Sequence, residues 1–80
     1  PREEPGVQQW YPADLDGAQS WLGRQVRVTL SNGNQVEGRL VSVGERELEV
    51  SRTVAGGEVA YPILIRAITQ FDVWRRGRAD

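Results

Sequence analysis

Cysteine, histidine and lysine are all missing from this sequence. Without cysteine no disulfide can staple the core, and no CxxC or Cys/His grouping can hold zinc. Without all three, the usual general bases and nucleophiles of acyl transfer are gone as well. Ser20, Ser31, Ser42 and Ser51 have no partner base. Glu47 and Glu49 alternate on one strand face and read as a solvent face rather than an acid–base pair. Gly56-Gly57 lies between strands, outside the strand–glycine loop–helix unit that cradles phosphate. The expectation is a protein that is no enzyme and carries no cofactor and no metal.

Long apolar runs are also missing. Nothing approaches the ~20 residues of a membrane span, and there is no signal peptide or lipidation motif, so no membrane span is expected. The chain opens on Pro1 rather than methionine, which reads as a processed product or a domain of something longer. Cysteine absence fits either cytosol or periplasm; the cytoplasm is the favoured expectation.

Charge of one sign is scarce too. Ten basic residues, all arginine, face eleven acidic ones for a net charge of −1. The plain reading of arginine without lysine is GC-rich coding, and the sharper one is a surface built for bidentate contacts. A pI near 5.4 argues against a dedicated nucleic-acid module, because phosphate binding rests on clustered positive charge. Eighty residues make one small domain with a thin core. Burial against copies of itself or a partner is one way to stabilise such a core.

What is present is mostly strand pattern. Residues 1–13, "PREEPGVQQWYPA", hold three of the four prolines and read as an extended N-terminal arm. Trp10 and Tyr11 are expected to pack back on the domain or dock on a partner. "DLDGAQSWL", residues 14–22, predicts a short helix with Asp14 or Asp16 as N-cap, Leu15, Ala18, Trp21 and Leu22 on one face, and Gly23 as its stop. The period then becomes two. "QVRVTL", "QVEGRLVSV", "RELEVSRTV", "GEVAYPI" and "AITQFDVW" predict five strands, with "PILIR" as the turn before the last. Pro62 cannot donate to a ladder and belongs at a strand end or an edge.

Between the first two strands, Asn32-Gly33 is a strong hairpin signal, since both residues tolerate the positive φ of a tight turn. Gly38, inside the second strand, marks a bend or a close backbone approach. The apolar register slips by one from Leu40 to Val41, as a bulge produces. Gly23, Asn32, Gly33 and Gly38 are thus expected to be structural.

The stretch "LGRQVRVTLSNGNQVEGRLVSV" resembles the first motif of the Sm-like family, with Gly23, Val26, Val28, Leu30, Asn32, Gly33, Gly38 and Leu40 matching. "LIRAI", residues 64–68, loosely resembles the second motif, with Ala67 where the family has glycine. "GEVAYPILIRAI" is also similar to a segment of the C-terminal SH3-like domain of the ribosome maturation factor RimP. The resemblance covers residues 14–74. It implies a mainly β fold: an N-terminal short helix, then a five-stranded, strongly bent Sm-like or SH3-like barrel. In that family the fourth strand of one subunit pairs with the fifth of the next to close a ring.

The family's uridine site is mostly missing. In "GERELEV" its aromatic or histidine and its asparagine are absent, and Glu45, Glu47 and Glu49 stand nearby. Bacterial Hfq-type sites also call on lysine and histidine. Only Arg66 carries over, and Asn32 lies beside a turn that can touch RNA in Sm-like proteins. The other electrostatic candidate is "VWRRGRAD", where Trp74 with Arg75, Arg76 and Arg78 combines an aromatic platform with positive charge. Residues 75–80 read as a basic C-terminal tail that is solvated, attracted to the acidic arm, or in contact with nucleic acid or anionic lipid. The favoured expectation is a non-catalytic interaction module that binds a protein partner or self-associates through edge strands. The alternative is RNA binding on a non-standard surface including the arginine-rich C-terminus.

Overall fold

The computed structural model describes residues 5–77. Its strands are β1 (Gln8–Pro12), β2 (Gln25–Leu30), β3 (Gln35–Val43), β4 (Glu47–Val54), β5 (Gly57–Leu64) and β6 (Ile68–Arg76). They form one antiparallel sheet in the order β1-β6-β2-β3-β4-β5. The fold is mainly β, and β2 to β6 lie close to where the period-two pattern puts them, except that β5 runs on through Leu64 and the turn expected over 62–66 is Ile65–Ala67. Inward residues of five strands share one core, with Val26, Val28, Leu40, Leu48, Val50 and Val73 fully buried.

Several expectations are corrected. The sheet has six strands, because part of the supposed arm is β1, paired along β6 with Trp10 opposite Trp74. The two indoles meet edge to face at 5.3 Å between centroids. Such a cross-strand aromatic pair outweighs the local proline signals. Arg75 and Arg76, read as tail, are the last residues of β6.

The helix does not lead the fold. It follows β1 as a 3₁₀ helix, Leu15–Trp21, whose dihedrals break at Gly17. With about three residues per turn, Leu15, Ala18 and Trp21 align toward the core while Leu22 is exposed. Asp14 is the N-cap, but its side chain makes no capping bond. Gly23 takes a φ of +84°, and its N–H donates to the Leu40 carbonyl at 2.8 Å, tying the helix end to β3.

Nor does the sheet close into a barrel: among the described residues no ladder joins β1 to β5. The close approach expected at Gly38 is present in β3. Gly38 lies opposite Val26, and a Cβ there would sit 2.7 Å from Val50 Cγ1 and nearer still to the Ser51 carbonyl oxygen. The β3–β4 register then shifts between Leu40 and Ser42, the bulge expected at Val41.

The turn at Asn32-Gly33 differs from the expected two-residue form. Only Gly33 has positive φ, at 89°. Its N–H donates to the Leu30 carbonyl at 2.9 Å, and the Leu30 N–H donates to the Asn34 carbonyl at 2.8 Å. The loop therefore has three residues, ending in a left-handed glycine. The tight two-residue turn is at Ala55-Gly56, where both residues have positive φ, 50° and 86°.

Candidate functional site

The most exposed strand of the sheet is β5. Among the described residues it is an edge, paired only with β4, in a register that runs from Glu47↔Leu64 to Val54↔Gly57. Alternation along an antiparallel ladder decides which backbone groups are spent. The two-residue turn makes Val54/Gly57 a hydrogen-bonded pair. At the other end the Ile65 N–H donates to the Arg46 carbonyl at 2.9 Å, which keeps the same parity. So Val59, Tyr61 and Ile63 turn their N–H groups to β4, while the backbone groups of Glu58, Ala60, Pro62 and Leu64 face outward. Pro62 therefore costs the β4–β5 ladder nothing and removes one donor from the free edge.

Side chains follow the same alternation. Val59, Tyr61 and Ile63 share the core face, yet only Ile63 is buried; Val59 is 41% and Tyr61 37% exposed. Leu64 on the other face and Val54 at the hairpin tip are also exposed. The strand carries one charge, Glu58, whose carboxylate accepts from Arg39 at 3.0 Å. Natural edges are usually blunted by charge, proline or shortness. Here an eight-residue strand has one proline and one exposed carboxylate.

The opposite edge is blunted. β1 has five residues. The Gly77 N–H donates to the Val7 carbonyl and the Ala13 N–H to the Phe71 carbonyl, so Val7, Gln9, Tyr11 and Ala13 face β6. Only Gln8 and Trp10 can donate outward, because Pro12 has no N–H. β6 lies between β1 and β2; β1 covers its Asp72–Arg76 half, and Ile68–Gln70 extend beyond that ladder.

The structure disperses the residues singled out in the sequence. Trp74 packs with Trp10 on one face, its indole N–H donating to Gln8 Oε1 at 3.3 Å. Arg27 stacks on Trp10 at 4.7 Å and reaches the buried Asp72 at 3.5 Å. Arg75 points to the other face, over Tyr11 at 4.3 Å and toward Trp21 at 5.9 Å. Alternation along β6 thus separates Trp74 from Arg75, and they form no joint platform. Arg75 and Arg76 instead meet Arg24, Gln8 and Trp21 around a cavity of about 300 Å³. Arg78 lies outside the described residues.

Asn32 and Arg66 fall at one end of the sheet. The Asn32 Oδ1 accepts the Asn34 N–H at 2.9 Å, and the neighbouring Ser31 N–H donates to the Ala67 carbonyl at 2.8 Å. Arg66 lies in a short 3₁₀ turn, Ile65–Ala67. It lines a cavity of about 510 Å³ with Glu45, Arg46, Leu64 and Ile65. Arg46 had no signal of its own in the sequence; the ladder that sets Ile65 beside it brings it to Arg66.

Among the described residues no group of three or more acidic, histidine or cysteine side chains could hold a metal ion. No helix among them is long and apolar enough to cross a membrane. Compared with protein-family models and with curated protein sequences, the chain matches none.

Proposed function

We propose that this chain is a non-catalytic, Sm-like interaction module that docks a protein strand on the free edge of β5. One observation carries the reading: outward-facing backbone of Glu58, Ala60, Pro62 and Leu64 runs beside exposed Val59, Tyr61 and Leu64. Strand addition draws affinity from main-chain hydrogen bonds and specificity from alternate side chains. The order β6-β2-β3-β4-β5 and the close backbone approach at Gly38 support the family resemblance. They also change the expected mode of assembly. The family's fourth and fifth strands correspond to β5 and β6, and β1 already covers β6 from Asp72 to Arg76. Docking on β5 therefore does not use the family's ring contact.

The test is hydrogen exchange, resolved by residue, with an eight-residue Thr/Val strand peptide or at raised protein concentration. Slowed exchange at the Ala60 and Leu64 amides under either condition is the expected result. Unchanged exchange at both amides under both conditions would rule the reading out.

A second reading, RNA binding, has one observation in its favour. Arg46 and Arg66 line one cavity with an apolar wall of Leu64 and Ile65. Fluorescence anisotropy with oligouridine across a salt series tests it. Binding that weakens with salt and is lost in Arg46→Ala/Arg66→Ala supports it; binding unchanged by both would remove it.

A further inference from the structure

Resting on the β5 reading, we infer that the strand docked there is β5 of a second copy, paired antiparallel about a two-fold axis through Tyr61. The edge is self-complementary in that register. Glu58 faces Leu64 of the second copy, Ala60 faces Pro62, and Tyr61 faces Tyr61. Every outward hydrogen-bonding slot between Glu58 and Leu64 is then filled, except the two that would need a Pro62 N–H.

Other two-fold registers are poorer. Centring on Ala60 or Pro62 keeps both missing Pro62 donors while shortening the ladder. Centring on Ile63 leaves Pro62 opposite Leu64 and pairs still fewer residues. Centring on Val59 sets the two Glu58 carboxylates on diagonal positions ~7–8 Å apart. About Tyr61 they stand six residues apart along the ladder, or roughly 20 Å, beyond the reach of screened repulsion.

The side chains agree with the backbone. On the core face Val59 of each copy meets Ile63 of the other, and the two tyrosines close the centre. The apolar surface left open at Val59 and Tyr61 is covered. On the other face Leu64 covers the stem of Glu58, whose carboxylate keeps its Arg39 partner. With a net charge of −1 per chain, no long-range repulsion opposes the encounter.

Neither alternative within a second copy fits as well. Beyond its β1 ladder, β6 leaves only the short Ile68–Gln70 stretch, and β1 offers only the two outward donors of Gln8 and Trp10. The interface is a two-fold pairing that closes on itself, so assembly stops at a dimer.

The native chain has no cysteine, so a single introduced thiol reports the register. Tyr61 faces its copy at a non-hydrogen-bonded pair, where Cα atoms lie ~4.5 Å apart, within disulfide range. Tyr61→Cys is expected to oxidise to a reducible dimer, and Glu58→Cys is not. Sedimentation velocity of the native chain should show a concentration-dependent dimer. Ala60→Pro removes only an outward N–H and should weaken dimerisation by about tenfold or more while the fold is retained.

A dimer that cross-links through Glu58→Cys and not Tyr61→Cys overturns the register but leaves β5 docking standing. A chain that stays monomeric while the Thr/Val peptide slows exchange at Ala60 overturns self-pairing alone. A dimer indifferent to Ala60→Pro, in a variant whose circular dichroism matches the native chain, overturns the inference. Failure of both peptide and concentration to protect these amides removes the underlying reading as well.

Discussion

At the scale of single residues, two backbone positions decide how well this small domain holds together. Gly38 is one, because a Cβ there meets the Val50 side chain and the Ser51 carbonyl. The carbonyl belongs to the β3–β4 ladder and cannot swing aside as a side-chain end would. Gly38→Ala is expected to cost ~1–3 kcal/mol by overpacking, read as a lowered midpoint in urea. In an 80-residue domain that is a large share of total stability, which for folded proteins is ~5–15 kcal/mol. Ala55 is the other position. It holds a left-handed φ of 50°, where an alanine Cβ costs ~1–2 kcal/mol. Asparagine tolerates that region better. Ala55→Asn should gain about 0.5–1 kcal/mol and raise the thermal midpoint by roughly 2–8 °C; an unchanged or lower midpoint would contradict the turn assignment.

At the scale of elements, the strands after the helix were legible in the sequence and the first strand was not. β2, β3, β4 and β6 alternate apolar and polar residues, β5 repeats large apolar residues at Val59, Tyr61 and Ile63, and the glycines between or within them act as turns or close approaches. β1 has no such alternation. "QQWYP" becomes a strand because β6 offers it an edge and Trp74 offers Trp10 a partner, and neither is a local property of residues 8–12. The 3₁₀ helix was legible in place but not in type, since Gly17 interrupts a run too short to repay α-helix nucleation. Site residues divide in the same way. Arg66 was visible through its motif, whereas Arg46 joins it only through the β4–β5 ladder.

The role of β1 is itself testable. Gln9 turns its N–H toward β6, so Gln9→Pro should peel β1 away and open the β6 edge. With β5 already free, head-to-tail pairing becomes available, and sedimentation should show species larger than a dimer. A variant still folded by circular dichroism that forms nothing larger would mean that β1 does not guard that edge.

At the scale of the whole molecule, the sheet has one blunted edge and one open edge. The core is thin and the chain nearly neutral, so covering Val59 and Tyr61 adds buried apolar area where the monomer has little. Pairing two β5 strands would carry one sheet across both copies without rearranging either. The most direct measurement is amide exchange along residues 57–65 at low and high protein concentration. At low concentration Val59, Tyr61 and Ile63 should exchange slowly while Glu58, Ala60 and Leu64 exchange fast. At high concentration Ala60 and Leu64 should become protected and the alternation fade. An alternation that persists unchanged at every concentration would contradict self-pairing, and equal exchange at all these amides in the dilute chain would contradict the edge geometry itself.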